Sequence, residues 1–364
     1  MRHFLQKLLK TPLIRLADRF SSRPDQKRVN KALSALYEKI DSGTGKNGIT
    51  ISLNTDTDKF IIFSDQHKGA RDGADIFARA EKNYLAALAY YLDNQFFYIN
   101  LGDSEELWEN TFITVKKHNK ATFEAEAKFL KNKRFIKTFG NHDLYWDNDP
   151  LASAGLGIIY HQPVDIYEGV ILKTTINKLP LKIYMTHGHQ GDLQSDGNWF
   201  SKWFVSDVWG PLQSYLRINP NTPSTNDELK TLHNKMMYQW SSKHKNMLLI
   251  TGHTHQPVFK SLTHLELLYE KLGDAKKAND DQAADQIKKQ IVNRENRGDK
   301  MPDFKGYHDT YFNTGCCCFN DGDITGIEIA NGCIRLIKWA YGPHKESTRM
   351  VLDECKLADL KLNL

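Results

Sequence analysis

The segment that most restricts what this chain can fold into lies between Lys59 and Asp103. Lys59-Phe60-Ile61-Ile62-Phe63-Ser64 is a short apolar run of β-forming residues that stops at Asp65-Gln66-His67-Lys68-Gly69. Apolar residues then fall at Ile76, Phe77, Ala80, Tyr84, Leu88 and Tyr91, which is helical spacing between Ala74 and Asn94. A second β-type run, Phe96-Phe97-Tyr98-Ile99-Asn100-Leu101, stops at Gly102-Asp103. Strand, helix and strand in about forty residues make a βαβ unit. The sheet is therefore at least partly parallel, with its functional loops at the carboxyl ends of the strands.

Further apolar runs follow the same rule. A polar helix around Ala121–Asn132 leads to the run Arg134–Phe139, which stops at Gly140-Asn141-His142-Asp143. Shorter strands are expected at Ile158–Tyr160, Val164–Tyr167 and Val170–Ile176. Leu181–Met185 stops at Thr186-His187-Gly188-His189, and Met247–Ile250 stops at Thr251-Gly252-His253-Thr254-His255. Late in the chain, Ile324–Ala330 and Cys333–Ile337 flank Asn331-Gly332, a strong type I′ hairpin pattern, so the last strands are antiparallel. The expected class is α/β (α+β), a two-sheet β-sandwich flanked by helices. A basic helical arm is expected over 1–56, the main domain over 57–340 and a tail over 341–364. Two insertions interrupt the domain. One, over 193–246, carries Trp199, Phe200, Trp203, Phe204 and Trp209 and ends in a helix from Asn226 to Lys243; the other, over 263–305, is a charged helical hairpin.

Charge is unevenly spread. Residues 1–40 hold ten Lys/Arg and three Asp/Glu, +7 of a net +5, which leaves about −2 for everything else. An acidic body argues against a nucleic-acid groove across the molecule. The arm interleaves Phe4, Leu5, Leu8 and Leu9 with Lys7 and Lys10, a pattern that fits a helix docked on the domain or peripheral contact with an anionic membrane surface. No run of about eighteen apolar residues occurs and the start lacks the apolar core of a secretory signal, so a cytoplasmic location is expected, peripheral to the inner membrane face if the arm binds lipid. Five cysteines, three consecutive at Cys316-Cys317-Cys318, do not make a disulfide framework in a chain this long, and a buried structural role is expected for them.

Collected in order, the residues that end the strands are Asp65-x-His67, Gly102-Asp103, Gly140-Asn141-His142-Asp143, His187 and Gly252-His253-x-His255. Carboxylate, imidazole and amide oxygen suit Mn²⁺, Fe, Zn²⁺ or Ni²⁺ better than Ca²⁺. Seven such groups exceed what one ion with an open position needs, and two ions about 3.5–4 Å apart would use them. Singly, each has a plainer reading: a helix-capping aspartate, an asparagine in a turn, a hydrogen-bonded internal histidine. His189 competes with His187 for the fourth position, and His187, first after the strand, is favoured.

This series resembles the calcineurin-like metallophosphoesterases, whose motifs run D-x-H, G-D-x-x-D/E, G-N-H-D/E, H and G-H-x-H. The resemblance spans about residues 57–340. It implies two divalent metals, Mn foremost with Fe, Zn or Ni as alternatives: Asp65, His67 and His255 on the first, Asn141, His187 and His253 on the second, and Asp103 between them. It also implies His142 as the phosphate-facing acid or transition-state stabiliser, oriented by Asp143, and in-line attack by water activated between the ions. Gly102-Asp103-Ser104-Glu105-Glu106-Leu107-Trp108 resembles the G-D-x-x-E-x-W form of UDP-2,3-diacylglucosamine pyrophosphohydrolase-like members, not the G-D-x-V-D-R-G form of Ser/Thr protein phosphatases. A phosphate mono- or diester or pyrophosphate hydrolase acting on a small-molecule, nucleotide-linked or lipid-linked substrate is the resulting expectation. Protein phosphatase, nuclease and a catalytically silent interaction module on the same fold are the alternatives.

Overall fold

The computed structural model describes residues 25–43, 47–72, 75–191, 227–278, 280–295 and 308–363. The basic segment ahead of residue 25 and the aromatic residues Trp199 to Trp209 lie outside the described residues.

Alternation along the strands builds the sandwich. Strand β2 (Phe60–Phe63) is wholly buried, as a strand covered on both faces must be. Phe60 and Ile62 point to the core between the sheets, while Ile61 and Phe63 point outward under helix α2 (Phe77–Asp93). Strand β3 (Phe97–Leu101) repeats this, with Ile99 and Leu101 inward and Tyr98 outward. Strands β2, β3, β4 (Phe135–Thr138) and β5 (Ile166–Tyr167) run parallel, and β12 (Ile324–Ala330), β13 (Cys333–Tyr341) and β14 (Ser347–Lys356) add antiparallel strands to give the order β14-β13-β12-β2-β3-β4-β5.

The second sheet has the order β1-β6-β7-β8-β11-β9-β10. Its strands are β1 (Gly48–Ser52), β6 (Gly169–Ile176), β7 (Leu179–Thr186), β8 (Met247–Thr251), β9 (Val258–Phe259), β10 (Leu262–Thr263) and β11 (Tyr311–Asn313). Leu248 and Ile250 of β8 face the inter-sheet core, and Met247 and Leu249 face helices α1 (Gln26–Asp41) and α7 (Asp227–Ser241) through Leu33, Leu36 and Trp240. Helices thus cover both outer faces, as the sequence predicts. Asp25 caps α1 by accepting from the Arg28 amide at 2.9 Å. Among the described residues no helix is long and apolar enough to cross a membrane.

A helical lobe follows β3: α3 (Phe112–His118), α4 (Lys120–Lys131), α5 (Tyr145–Asn148) and α6 (Ala152–Tyr160), packed around Val115, Phe123, Trp146, Leu156 and Tyr160. Here one expectation fails: Ile158–Tyr160 is the last turn of α6, not a strand. A three-residue apolar run does not distinguish the two states. The deciding pattern lies just upstream, in burial at Ala152, Gly155, Leu156, Ile159 and Tyr160, which is helical spacing. In the 263–305 segment, α8 (His264–Lys277) and α9 (Asp281–Glu295) close on Leu265, Leu268, Leu272, Ala284 and Ile291, and residues 296–305 lie outside the described residues.

The expected boundaries at 57 and 340 both cut through sheets. β1 pairs in register with β6 from Gly48↔Gly169 to Ser52↔Lys173, so residues 48–52 belong to the sandwich. β14 pairs along β13 in what was expected to be a tail.

Candidate metal centre

Five strands deliver the clustered residues, and all five end on the same side. β2 leads to Asp65 and His67, β3 to Asp103, β4 to Asn141 and His142, β7 to His187, and β8 to His253 and His255. The turns are tight: Asp65, His67, Asp103, His253 and His255 all have φ between 49° and 69°, a left-handed conformation that costs a side-chain-bearing residue about 1–2 kcal/mol. Two motif glycines permit the close approach. A Cβ on Gly140 would strike the Asp103 carboxylate and the His187 ring, and one on Gly252 would strike Ser64 and Asp65.

Backbone bonds lock the loops together. Asp65 Oδ2 accepts from the His253 amide at 3.0 Å and from the Ser64 hydroxyl. Asp103 Oδ1 accepts from the His142 amide at 2.8 Å. Asn313, at the end of β11, donates through Nδ2 to the Gly252 carbonyl at 2.7 Å, bracing the turn between β8 and His253.

The side chains converge in two groups. His67 Nε2 and His255 Nε2 are 3.1 Å apart, and His255 Nε2 is 3.2 Å from Asp65 Oδ1. On the other side, Asp103, His187 and His253 form a group in which His187 Nε2 is 3.2 Å from Asp103 Oδ2. Asp103 Oδ2 is also 3.8 Å from His67 Nε2, so this carboxylate stands between the groups. His253 and His255 face different groups, although only one residue separates them. His187 and not His189 joins the cluster; the His189 ring lies 5.4 Å from that of His187 and packs beside Phe139.

These residues fit a cationic cofactor. Asp65 Oδ1, Asn141 Oδ1, His187 Nε2 and His253 Nε2 are buried with no hydrogen-bond partner among the described residues. All four can offer a lone pair. Leaving buried polar atoms unpaired costs about 1–3 kcal/mol each, and divalent ions would satisfy them together. The far ring nitrogens are held in ways that free the near ones: His187 Nδ1 donates to the Leu101 carbonyl at 2.9 Å, and His67 Nδ1 lies 3.1 Å from Glu106 Oε2. Burial opposes the charged form of Asp65, but the His255 and His187 imidazoles overcome it and hold the carboxyl well below its usual range. Burial, with the His233 charge next, pushes His253 well below the usual imidazole range and keeps it neutral.

Asp143 does not orient His142. Its carboxylate accepts from the amides of Gly140 at 2.6 Å, Ser104 at 2.9 Å and Asp103 at 3.2 Å, fastening the loop after β4 to the loop after β3. The His142 ring is held by Glu106, whose Oε1 lies 2.9 Å from Nδ1, and by Trp108, stacked on it with centroids 4.0 Å apart. Glu106 therefore serves His67 and His142 together. Burial opposes its ionisation, yet His142 beside it holds the carboxyl at about 2. The G-D-x-x-E-x-W spacing contains both residues, and their roles appear only once the loops fold. Arg71, just past the first motif, pairs with Glu81 and Asn119.

The chain matches the sequence model of the calcineurin-like phosphoesterases over residues 58–257. No curated protein matches it. Similar solved structures include a dimetal phosphatase from Danio rerio (10% identity, 82% of this chain and 100% of that one, TM-score 0.37). Vacuolar Protein Sorting 29 from Cryptosporidium parvum has 12% identity over 82% of this chain and 98% of that one, TM-score 0.32. A Vps29 variant from Entamoeba histolytica has 12% identity over 81% and 99%, TM-score 0.30. Likenesses this distant carry no argument about activity. With a family match over more than half its length and strand ends that gather a metal-ligand cluster, the chain belongs to the calcineurin-like phosphoesterases and is a metal-dependent phosphoesterase.

Proposed function

We propose that the chain hydrolyses a small phosphate ester or pyrophosphate using two divalent ions. Asp65, His67 and His255 would hold the first, Asn141, His187 and His253 the second, and Asp103 would touch both. The observation that carries this is the set of four buried lone-pair atoms without a donor, drawn from four different strand ends.

When bound, the two ions supply a water of lowered pKa and positive charge facing the phosphoryl oxygens. The rest belongs to the chain's own residues. Glu106 accepts the Nδ1 proton of His142, so that the imidazolium form carries its second proton on Nε2 and would donate it to a phosphoryl or leaving oxygen. Trp108 covers one face of that ring and limits its rotation. Burial of Asp65, Asp103 and His187 keeps bulk water off the site, which strengthens each charge interaction within it.

For the metal, manganese is the first choice, with iron, zinc and nickel as alternatives. For the substrate, the G-D-x-x-E-x-W form supports a nucleotide-linked or lipid-linked ester over a phosphoprotein, and the basic arm supports peripheral membrane contact and a cytoplasmic site of action. Elemental analysis should find near two metals per chain, and Asp103→Asn should lose both metal and turnover. A panel of p-nitrophenyl phosphate, bis(p-nitrophenyl) phosphate and UDP-diacylglucosamine, each with supplied Mn²⁺, tests the substrate. Turnover of the synthetic esters without the lipid removes the lipid reading; a chain that takes up no supplied metal and is inert on all three removes the two-metal reading.

A further inference from the structure

Three of the four histidines in the cluster, His67, His187 and His255, have a partner behind the metal-facing nitrogen, one of them of an unusual kind. A carbonyl holds His187, through Nδ1 to Leu101, and a carboxylate holds His67, through Nδ1 to Glu106. His255 turns Nε2 toward Asp65 and His67, and its Nδ1 faces the Sγ of Cys318 at 3.9 Å. His67, His255 and Cys318 form a group whose ligand-type atoms lie within 4.8 Å of one another.

The three consecutive cysteines do not share one role. Cys317 lies in the core beneath α2 and donates weakly to the Thr325 carbonyl, a packing role. Cys318, two residues on from Cys316, is also buried, yet its sulfur lies at the metal-ligand cluster. A structural role alone explains the first and not the second.

We propose that Cys318 is a positioning residue for the first metal: its sulfur accepts the Nδ1 proton of His255 and so fixes the tautomer that presents the Nε2 lone pair to the ion. This rests on placing His255 in the metal centre. Sulfur takes the place filled by a carbonyl and a carboxylate behind the other two histidines. Partners of this kind raise ligand basicity and fix ring orientation, and losing one typically costs about 10- to 100-fold in metal affinity. The sulfur meets Nδ1 while Nε2 faces Asp65, so on this proposal Cys318 would stand behind the ligand and not on the ion.

Cobalt(II) distinguishes the outcomes, because its visible bands report binding and its near-ultraviolet thiolate charge-transfer band reports a direct sulfur bond. The reduced, metal-stripped full chain is titrated with Co²⁺ alone. Two ions should bind with no thiolate band. In Cys318→Ala one of the two should weaken about 10- to 100-fold while the other is unchanged, and Cys318→Ser, which retains an acceptor, should lose less. A thiolate band in the unaltered chain would overturn the proposal by making Cys318 a ligand. Equal weakening of both ions would reduce it to general loosening, and wild-type affinities in both Cys318 variants would remove it. If the variants do not fold, the ring nitrogens of His255 in the zinc-loaded, unaltered chain decide the matter by NMR: a protonated Nδ1 is expected, and a metal-bound Nδ1 overturns the proposal. Failure of the unaltered chain to bind any cobalt would instead overturn the metal centre on which it rests.

Discussion

At the scale of single residues, Glu106 links two parts of the site, since one carboxylate touches both His67 and His142. Glu106→Gln keeps the shape and removes the charge. It should lower kcat by about 10²- to 10⁴-fold with a much smaller change in KM, measured by steady-state kinetics on a synthetic ester. Three residues further along this loop, Glu109 supplies a pH test. Burial and then the charge of Glu106 push its carboxyl up to about 7 from an ordinary 4.5. The folded chain thus binds this proton more tightly than the unfolded one, and stability falls as pH rises from about 4.5 to 7. Glu109→Gln should therefore raise the melting temperature at pH 8 and leave it nearly unchanged at pH 4; equal shifts at both would contradict the assignment. Glu106 stands in a motif readable from sequence, but which histidines it meets depends on loops that converge from distant strands.

At the scale of elements, the loops after β2, β3 and β4 are tied below the metal centre by buried charges. Lys68 Nζ lies 2.6 Å from Glu126 of α4 and 3.4 Å from Glu105, and Lys137 of β4 lies 2.9 Å from Glu105. The indole of Trp146, in α5, donates to Glu105 as well, at 2.8 Å. Glu105→Ala strips these partners and leaves buried charge uncompensated, so it should cost about 3–5 kcal/mol in urea unfolding. Elements with strong periodicity were legible: β2, α2, β3 and the Asn331-Gly332 hairpin follow from pattern alone. Elements that depend on a neighbour were not. β14 carries Ser347-Thr348-Arg349-Met350 and exposes Met350 and Val351, so its strand state comes from pairing with β13. β1 has five residues and becomes a strand by lying along β6. The role that the resemblance implies for Asp143 is also decided by neighbours: the fold turns its carboxylate toward three amides and not toward the His142 ring.

At the scale of the whole molecule, a centre assembled from five strand ends couples metal binding to folding. An ion at 100 times its Kd adds about 2.7 kcal/mol to the stability of the form that binds it. Stripping both ions with a chelator should therefore lower stability by up to about 5 kcal/mol, seen as a drop in melting temperature that restored metal reverses. An unchanged melting temperature would mean that the chain holds no metal at this centre.

The left-handed backbone at Asp65, His67, Asp103, His253 and His255 sets activity against durability in this protein. Each of these residues holds a conformation that glycine adopts freely, so positions proposed to bind metal are also positions where the bare chain carries backbone strain. In the metal-stripped protein, His255→Gly should be more stable than His255→Ala by about 1–2 kcal/mol, the reverse of their order within a helix. A lineage of this chain released from catalysis would gain robustness by losing its ligands first, so a relative with glycine at these turns would be a sturdier molecule and an inactive one.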